Sequence, residues 1–221
     1  MARLVCKLAF LAFAIGIFGC GVLEYRRSSH ELRIVRQLEG KGGYVLRPAK
    51  SVDEFINTAE NYLGKPVLIE LVNSRLARAT GDLLGVRIER VIFESDDASA
   101  FVDILRQSDG VKTIAFSGDR TGKSKLPFHL IEGIDDSVVQ IIEFDRYAIG
   151  SQEMAELCKT IDVPCVALVA CTFPSESLKN LRQIRSLKTV VIHMCNLTGD
   201  PGSINDSVSA LQAAGIEIIY E

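Results

Sequence analysis

A chain of 221 residues with 48% hydrophobic and 24% charged side chains has the usage of a folded globular domain. Its net charge of −3 gives no general case for nucleic-acid binding, which calls for a basic surface. The six cysteines, Cys6, Cys20, Cys158, Cys165, Cys171 and Cys195, are too sparse for the framework of a small disulfide scaffold.

Residues 1–23 form the first segment. Leu8 to Leu23 carries no charge and follows Arg3 and Lys7. Such a run sits at the short end of the roughly 17–25 residues of a spanning helix, and it equally suits the apolar part of a secretory signal. Three readings fit: an uncleaved signal anchor, a cleaved signal peptide, and a lipoprotein signal. In the last, Ile17-Phe18-Gly19-Cys20 resembles a lipobox with Cys20 as the lipidated residue, although Phe18 departs from the pattern. All three place the protein at a membrane or beyond it. Arg26, Arg27, Arg33 and Arg36 outnumber the two basic residues upstream, which weighs against export. A signal-type segment with a basic start sends the rest of the chain out of the cytoplasm, and that is the expectation.

Residues 24–65 join this segment to the remainder. Glu24 to Glu39 reads as an exposed helix with Leu32, Val35 and Leu38 on one side, stopped by Gly40-Lys-Gly-Gly43. Tyr44 to Arg47 suits a short strand. Ser51-Val-Asp-Glu54 has the spacing of a capping box, starting a helix that ends at Leu63 before Gly64. Phe55, Ile56, Ala59 and Leu63 would face inward, capping the first of the units downstream.

From residue 66 to residue 221 the chain repeats itself. Val163-x-x-Val166-x-Leu168-x-x-Cys171-x-Phe173 overlays Leu187-x-x-Val190-x-Ile192-x-x-Cys195-x-Leu197 at a spacing of 24 residues. A third copy starts at Val139 and continues through Ile142, Phe144, Tyr147 and Ile149. Weaker copies start near 66, 88, 111 and 213. A fixed period in this range signals stacked supersecondary units. The x-L-x-L core alternates with period two, so its apolar residues face one side of a short strand. Leu178, Leu181 and Ile184 then recur at helical spacing on the return, and Ala100–Leu105 and Met154–Cys158 look similar. Gly118–Pro127 and Gly199–Asn205 read as loop-like insertions. Cys171 and Cys195 fall at the turn position, where small, mostly apolar side chains suit a buried ladder. A thiol pair is favoured there over a disulfide.

These motifs resemble the leucine-rich repeat family, over about 70% of the chain, and the whole is similar to short membrane-anchored bacterial members. Asn, usual at the turn position in that family, is replaced here by Ser, Asp, Tyr or Cys. The resemblance implies an α/β fold: a right-handed solenoid with parallel strands, whose strand face binds a partner. The face would include Glu70, Val72, Ile92, Glu94, Glu143, Asp145, Ala167, Val169, Val191, His193, Glu217 and Ile219. Cys165, Ala167, Val169, Val191 and His193 make an apolar strip, flanked by Glu143 and Asp145. Such strips mark contact surfaces; the alternative is that the N-terminal segment or a second copy covers this one. The implied function is protein–protein interaction without catalysis, cofactor or metal. An ordinary doubly wound α/β domain also has Val/Ile-rich strands and stays open as the alternative fold.

Two features carry a rival chemistry. Ser117-Gly-Asp-Arg-Thr-Gly-Lys-Ser124 ends like a phosphate-binding loop, which would make the chain an α/β nucleotide binder or enzyme. That loop needs glycine where Ser117 stands, and a helix after Ser124. His193 and Cys195 lie close in sequence, but period two turns His193 outward and Cys195 inward, which disfavours a shared metal. No G-x-S-x-G, H-E-x-x-H or paired C-x-x-C motif occurs.

Overall fold

A computed structural model describes residues 2–46, 65, 67–71, 87–94, 99–108, 110–119, 124–132, 134 and 138–220, with the side chains of 2–18, 46, 99, 100 and 201 outside that description. The Ser51–Leu63 helix, Val72, and the Gly122-Lys123 pair therefore lie outside the described residues.

The fold is mixed α/β, built on a mostly parallel sheet with eight strands among the described residues. Those strands are β1 (Tyr44–Leu46), β2 (Val67–Leu71), β3 (Ile88–Phe93), β4 (Thr113–Ser117), β5 (Ile141–Asp145), β6 (Cys165–Val169), β8 (Thr189–His193) and β10 (Glu217–Tyr220). β7 (Thr172–Pro174) and β9 (Asn196–Thr198) pair in a second small sheet. From β3 to β10 every large-sheet pair is parallel and keeps chain order. The strand order of a doubly wound sheet reverses at a switch point; no such reversal occurs among the described strands.

The apolar alternation sets the register. One row runs Ile69, Val91, Ile114, Ile142, Val166, Val190 across the strands, all buried. The next runs Phe93, Phe116, Phe144, Leu168, Ile192. Phe93 stacks on Phe116 at 5.3 Å between ring centroids, and Phe116 on Phe144 at 5.7 Å. A slip of one residue would turn both rows to the opposite face, so burial locks the pairing.

The returns carry helices α2 (Ser99–Leu105), α3 (Phe128–Ile131), α4 (Ser151–Thr160) and α5 (Pro201–Ala213), and a 3₁₀ helix at Ser175–Gln183. In α4, Met154, Leu157 and Cys158 face the core, and Glu153 accepts from Gly150 N–H at 2.8 Å. The Leu178/Leu181 spacing belongs to the 3₁₀ helix, which buries both residues. The stretch from Gly199 to Asn205, expected as a loop, opens α5 instead. Pro201 stands at its start, where the missing N–H has no intrahelical partner to lose.

Among the described strands, parallel pairing fails at one place. β2 and β3 run antiparallel, Val67 opposite Phe93, with a register shift at Glu70/Leu71. Antiparallel neighbours join at one end of a sheet and need no crossover, so the first two expected units do not stack in the same sense.

Helix α1 (Ala2–Gly40) is 39 residues long and unbroken across the expected boundary at residue 23. Among the described residues no helix is long and apolar enough to cross a membrane; most of the apolar run has side chains outside the description. The part expected to be an exposed helix is docked along one face. Ser28, Glu31, Ile34, Val35 and Leu38 are buried, at the three- and four-residue steps that share a helix side. Glu31, 1% exposed, accepts from Ser108 Oγ at 2.9 Å to each oxygen and from Ile88 N–H at 3.3 Å. Arg87 holds both carboxylate oxygens of Glu24, at 2.8 and 2.7 Å. The His30 ring meets the Gln107 carbonyl at 2.7 Å. Gly42, at φ 96°, turns the chain out of the helix, and Gly43 N–H donates to Leu38 C=O at 2.9 Å, a glycine C-cap.

Candidate binding face

The sheet side opposite the core rows presents residues of the other parity. Across it run Arg90, Thr113, Ile141, Cys165, Thr189 and Glu217, and beside them Ile92, Ala115, Glu143, Ala167, Val191 and Ile219. A third row is Ser117, Asp145, Val169 and His193. The structure thus brings Cys165, Val169, Val191 and His193 together, all half-buried, next to Glu143 and Asp145. Glu94 and Glu217 are exposed, while Glu70, Ile92 and Ile219 are half-buried. Ala167, expected in the exposed strip, is buried at 7% exposure. Its methyl lies between Glu143 and Val191, and these larger side chains shield it.

Two arginines that the repeat pattern did not single out set the charge of this face. Arg90 pairs with Glu143 at 2.5 Å and reaches Glu70 at 3.7 Å. Arg146 pairs with Asp145 at 3.1 Å and also donates to Ser117 Oγ. Partly exposed pairs of this kind contribute at most about 1 kcal/mol each, but they neutralise the acids. Strands β2 to β5 therefore offer paired charges, and β6 and β8 an apolar end. Arg90 was readable from its parity with Ile92; Arg146 lies just past its strand and carries no such signal.

Each of three successive strands ends in a tight corner. Arg146, Ala170 and Met194 take φ values of 62°, 49° and 52°, a left-handed region that costs L-residues about 1–2 kcal/mol. Arg146 N–H donates to Val169 C=O at 2.9 Å, and Ala170 N–H to His193 C=O at 2.8 Å. Ala170 is exposed, so Ala170→Gly should remove strain without removing packing. A gain of about 0.5–1 kcal/mol is expected after glycine's own entropy cost, read as a higher urea midpoint. A lower midpoint would show that the methyl makes contacts the corner needs.

The residue after each corner turns inward. Tyr147 meets Phe144 edge-on at 6.2 Å. Cys171 Sγ donates to Phe144 C=O at 3.2 Å, and Cys195 Sγ to Leu168 C=O at 3.2 Å. Each thiol thus bonds the backbone of the preceding strand, as the ladder reading requires. Both are free thiols. The side-chain interaction with Cys195, and then burial, push the Cys171 thiol up, while the same interaction holds Cys195 below the ordinary value. His193 lies on the face and Cys195 points inward, and among the described residues no cluster of three His, Cys, Asp or Glu is placed to hold a metal.

The Gly118–Ser124 loop is anchored at both described ends. Ser124 Oγ accepts from Asp119 N–H at 2.8 Å, and Ser124 bridges to Tyr147. No helix begins at Ser124; α3 starts only at Phe128. A β-carbon on Gly118 would come within 2.7 Å of the Arg146 carbonyl, so this glycine serves corner packing. A separate apolar cavity of about 90 Å³ lies on the core side of the sheet, lined by Phe93, Val102, Leu105, Val111, Ile114 and Val139 among others. No protein-family model matches the chain, and no curated protein matches it.

Proposed function

We propose that the chain is a membrane-anchored, leucine-rich-repeat-like solenoid that binds a protein partner on its strand face without catalysing a reaction. The observation that carries this reading is the strand order. Parallel strands in chain order put equivalent residues of successive units in one patch, the geometry that repeat proteins use for recognition. The paired acids and the apolar Val169/Val191 end support a contact surface with a polar flank. The anchor is the uncharged run ending at Leu23, and the face lies outside the cytoplasm.

A photo-crosslinking residue placed at Val169 or Val191 in intact cells tests this. An adduct with one partner is expected from both face positions and not from Arg182 on the 3₁₀ helix. It should be recovered with membranes, digested by protease added from outside, and lost when the neighbouring valine becomes Asp. Equal adducts from Arg182, or none from the face, would sink the reading. An adduct at twice the chain's mass would replace the partner with a second copy.

A further inference from the structure

We propose that Cys171 and Cys195 are a modification site: a dithiol that a hydroperoxide converts to a disulfide, with Cys195 as the attacked sulfur and Cys171 as the resolving one. The two residues stand just past equivalent corners. Thr172 pairs with Asn196, and Asn196 N–H donates to Cys171 C=O at 2.8 Å. The cysteines therefore face each other across about one strand spacing, ~4.8 Å, within the span a disulfide bridges. Each thiol also shifts the titration of the other, as close neighbours do.

Access divides the roles. Cys171 is fully buried, covered by Tyr147 on one side and Cys195 on the other. Cys195 is half-buried, because the small sheet has two strands and no described strand stacks outside β9. The corner residue before it, Met194, is 77% exposed. An oxidant thus reaches Cys195 first, and the neighbouring Cys171 side chain, which holds the Cys195 thiol below its ordinary value, raises its thiolate fraction at neutral pH. The other described cysteines of the repeat region lack this arrangement. Cys158 is buried, and burial pushes its thiol up to about 12. Cys165 is half-buried like Cys195, but it stands at the far end of β6 and burial pushes its thiol up.

The chemistry closes without a further reagent. The Cys195 thiolate attacks one peroxide oxygen; the O–O bond breaks, leaving the sulfenic acid and, after protonation, one water or alcohol. The Cys171 sulfur then attacks the Cys195 sulfur, the S–O bond breaks, and a second water leaves. Two thiols lose two electrons and the hydroperoxide gains them.

The test treats the full chain, carrying Cys20→Ser, with hydrogen peroxide at neutral pH. Remaining thiols are alkylated after denaturation and mapped by fragment mass. The expected result is a Cys171–Cys195 link, formed about tenfold or more faster than oxidation at Cys165, the direction set by the more accessible thiolate. Cys158 stays alkylatable throughout. In Cys171→Ser, Cys195 should instead accumulate a sulfenic acid that dimedone traps. Three results would overturn the proposal: Cys195 reacting no faster than Cys165, Cys195 passing to sulfinic acid while Cys171 stays free, or Cys195 linking to Cys165. All three are read on the Cys20→Ser chain itself, so they decide the matter even if the Cys171→Ser variant does not fold.

Discussion

Phe116→Ala is expected to cost about 3–5 kcal/mol of stability, the cost of deleting a buried aromatic side chain from a core that cannot collapse around the gap. Phe116 has no exposed surface and stacks on Phe93 and on Phe144. Its loss leaves two rings facing one void and breaks the row in the middle of the sheet. A domain of this size has roughly 5–15 kcal/mol in all, so the variant should sit near its unfolding transition. Chemical denaturation checks it: the midpoint falls while the slope stays constant. A loss below about 1 kcal/mol would mean that the three rings do not form a packed ladder.

The second large effect is expected at Glu31. In Glu31→Ala the Ser108 hydroxyl and the Ile88 amide lose their acceptor in a buried site. Each abandoned buried donor costs about 1–3 kcal/mol, so the helix should be held less tightly by about 2–5 kcal/mol. Glu31→Gln keeps one carbonyl oxygen and should lose clearly less. The readout is amide hydrogen exchange of Ile34, Val35 and Leu38. Their exchange should rise by at least about tenfold in Glu31→Ala, since 1.4 kcal/mol is a factor of ten. Unchanged exchange would show that Glu24–Arg87 and the apolar contacts hold α1 by themselves.

Much of the sheet was legible because its signal is repetitive. The units at 139, 163 and 187 became β5, β6 and β8 in matched register, since one mismatch would expose a whole row. The Cys171 and Cys195 positions were legible for the same reason. The antiparallel pairing of β2 with β3 was not. An alternating strand such as Val67–Leu71 reads the same in either direction, so periodicity carries no polarity. The start of α5 was missed because Gly and Pro mark breaks, although Pro201 opens a helix as readily as it ends one. On α1 the apolar spacing found Val35 and Leu38 but not Glu31, whose burial depends on donors from the distant Ser108 and Ile88. On the candidate face, Ala167 was misjudged because a methyl's exposure is decided by its neighbours on other strands.

The chain-order pairing of β3 through β10 has a consequence for synthesis. Each new strand finds its partner in the strand just completed, about one repeat upstream. No long loop has to close first, and loop closure is what slows folds with distant contacts. As the chain leaves the ribosome, each finished strand becomes the template edge for the next. The order of translation from β3 onward is then also the order of assembly, and little apolar sheet waits uncovered for a partner still to be made.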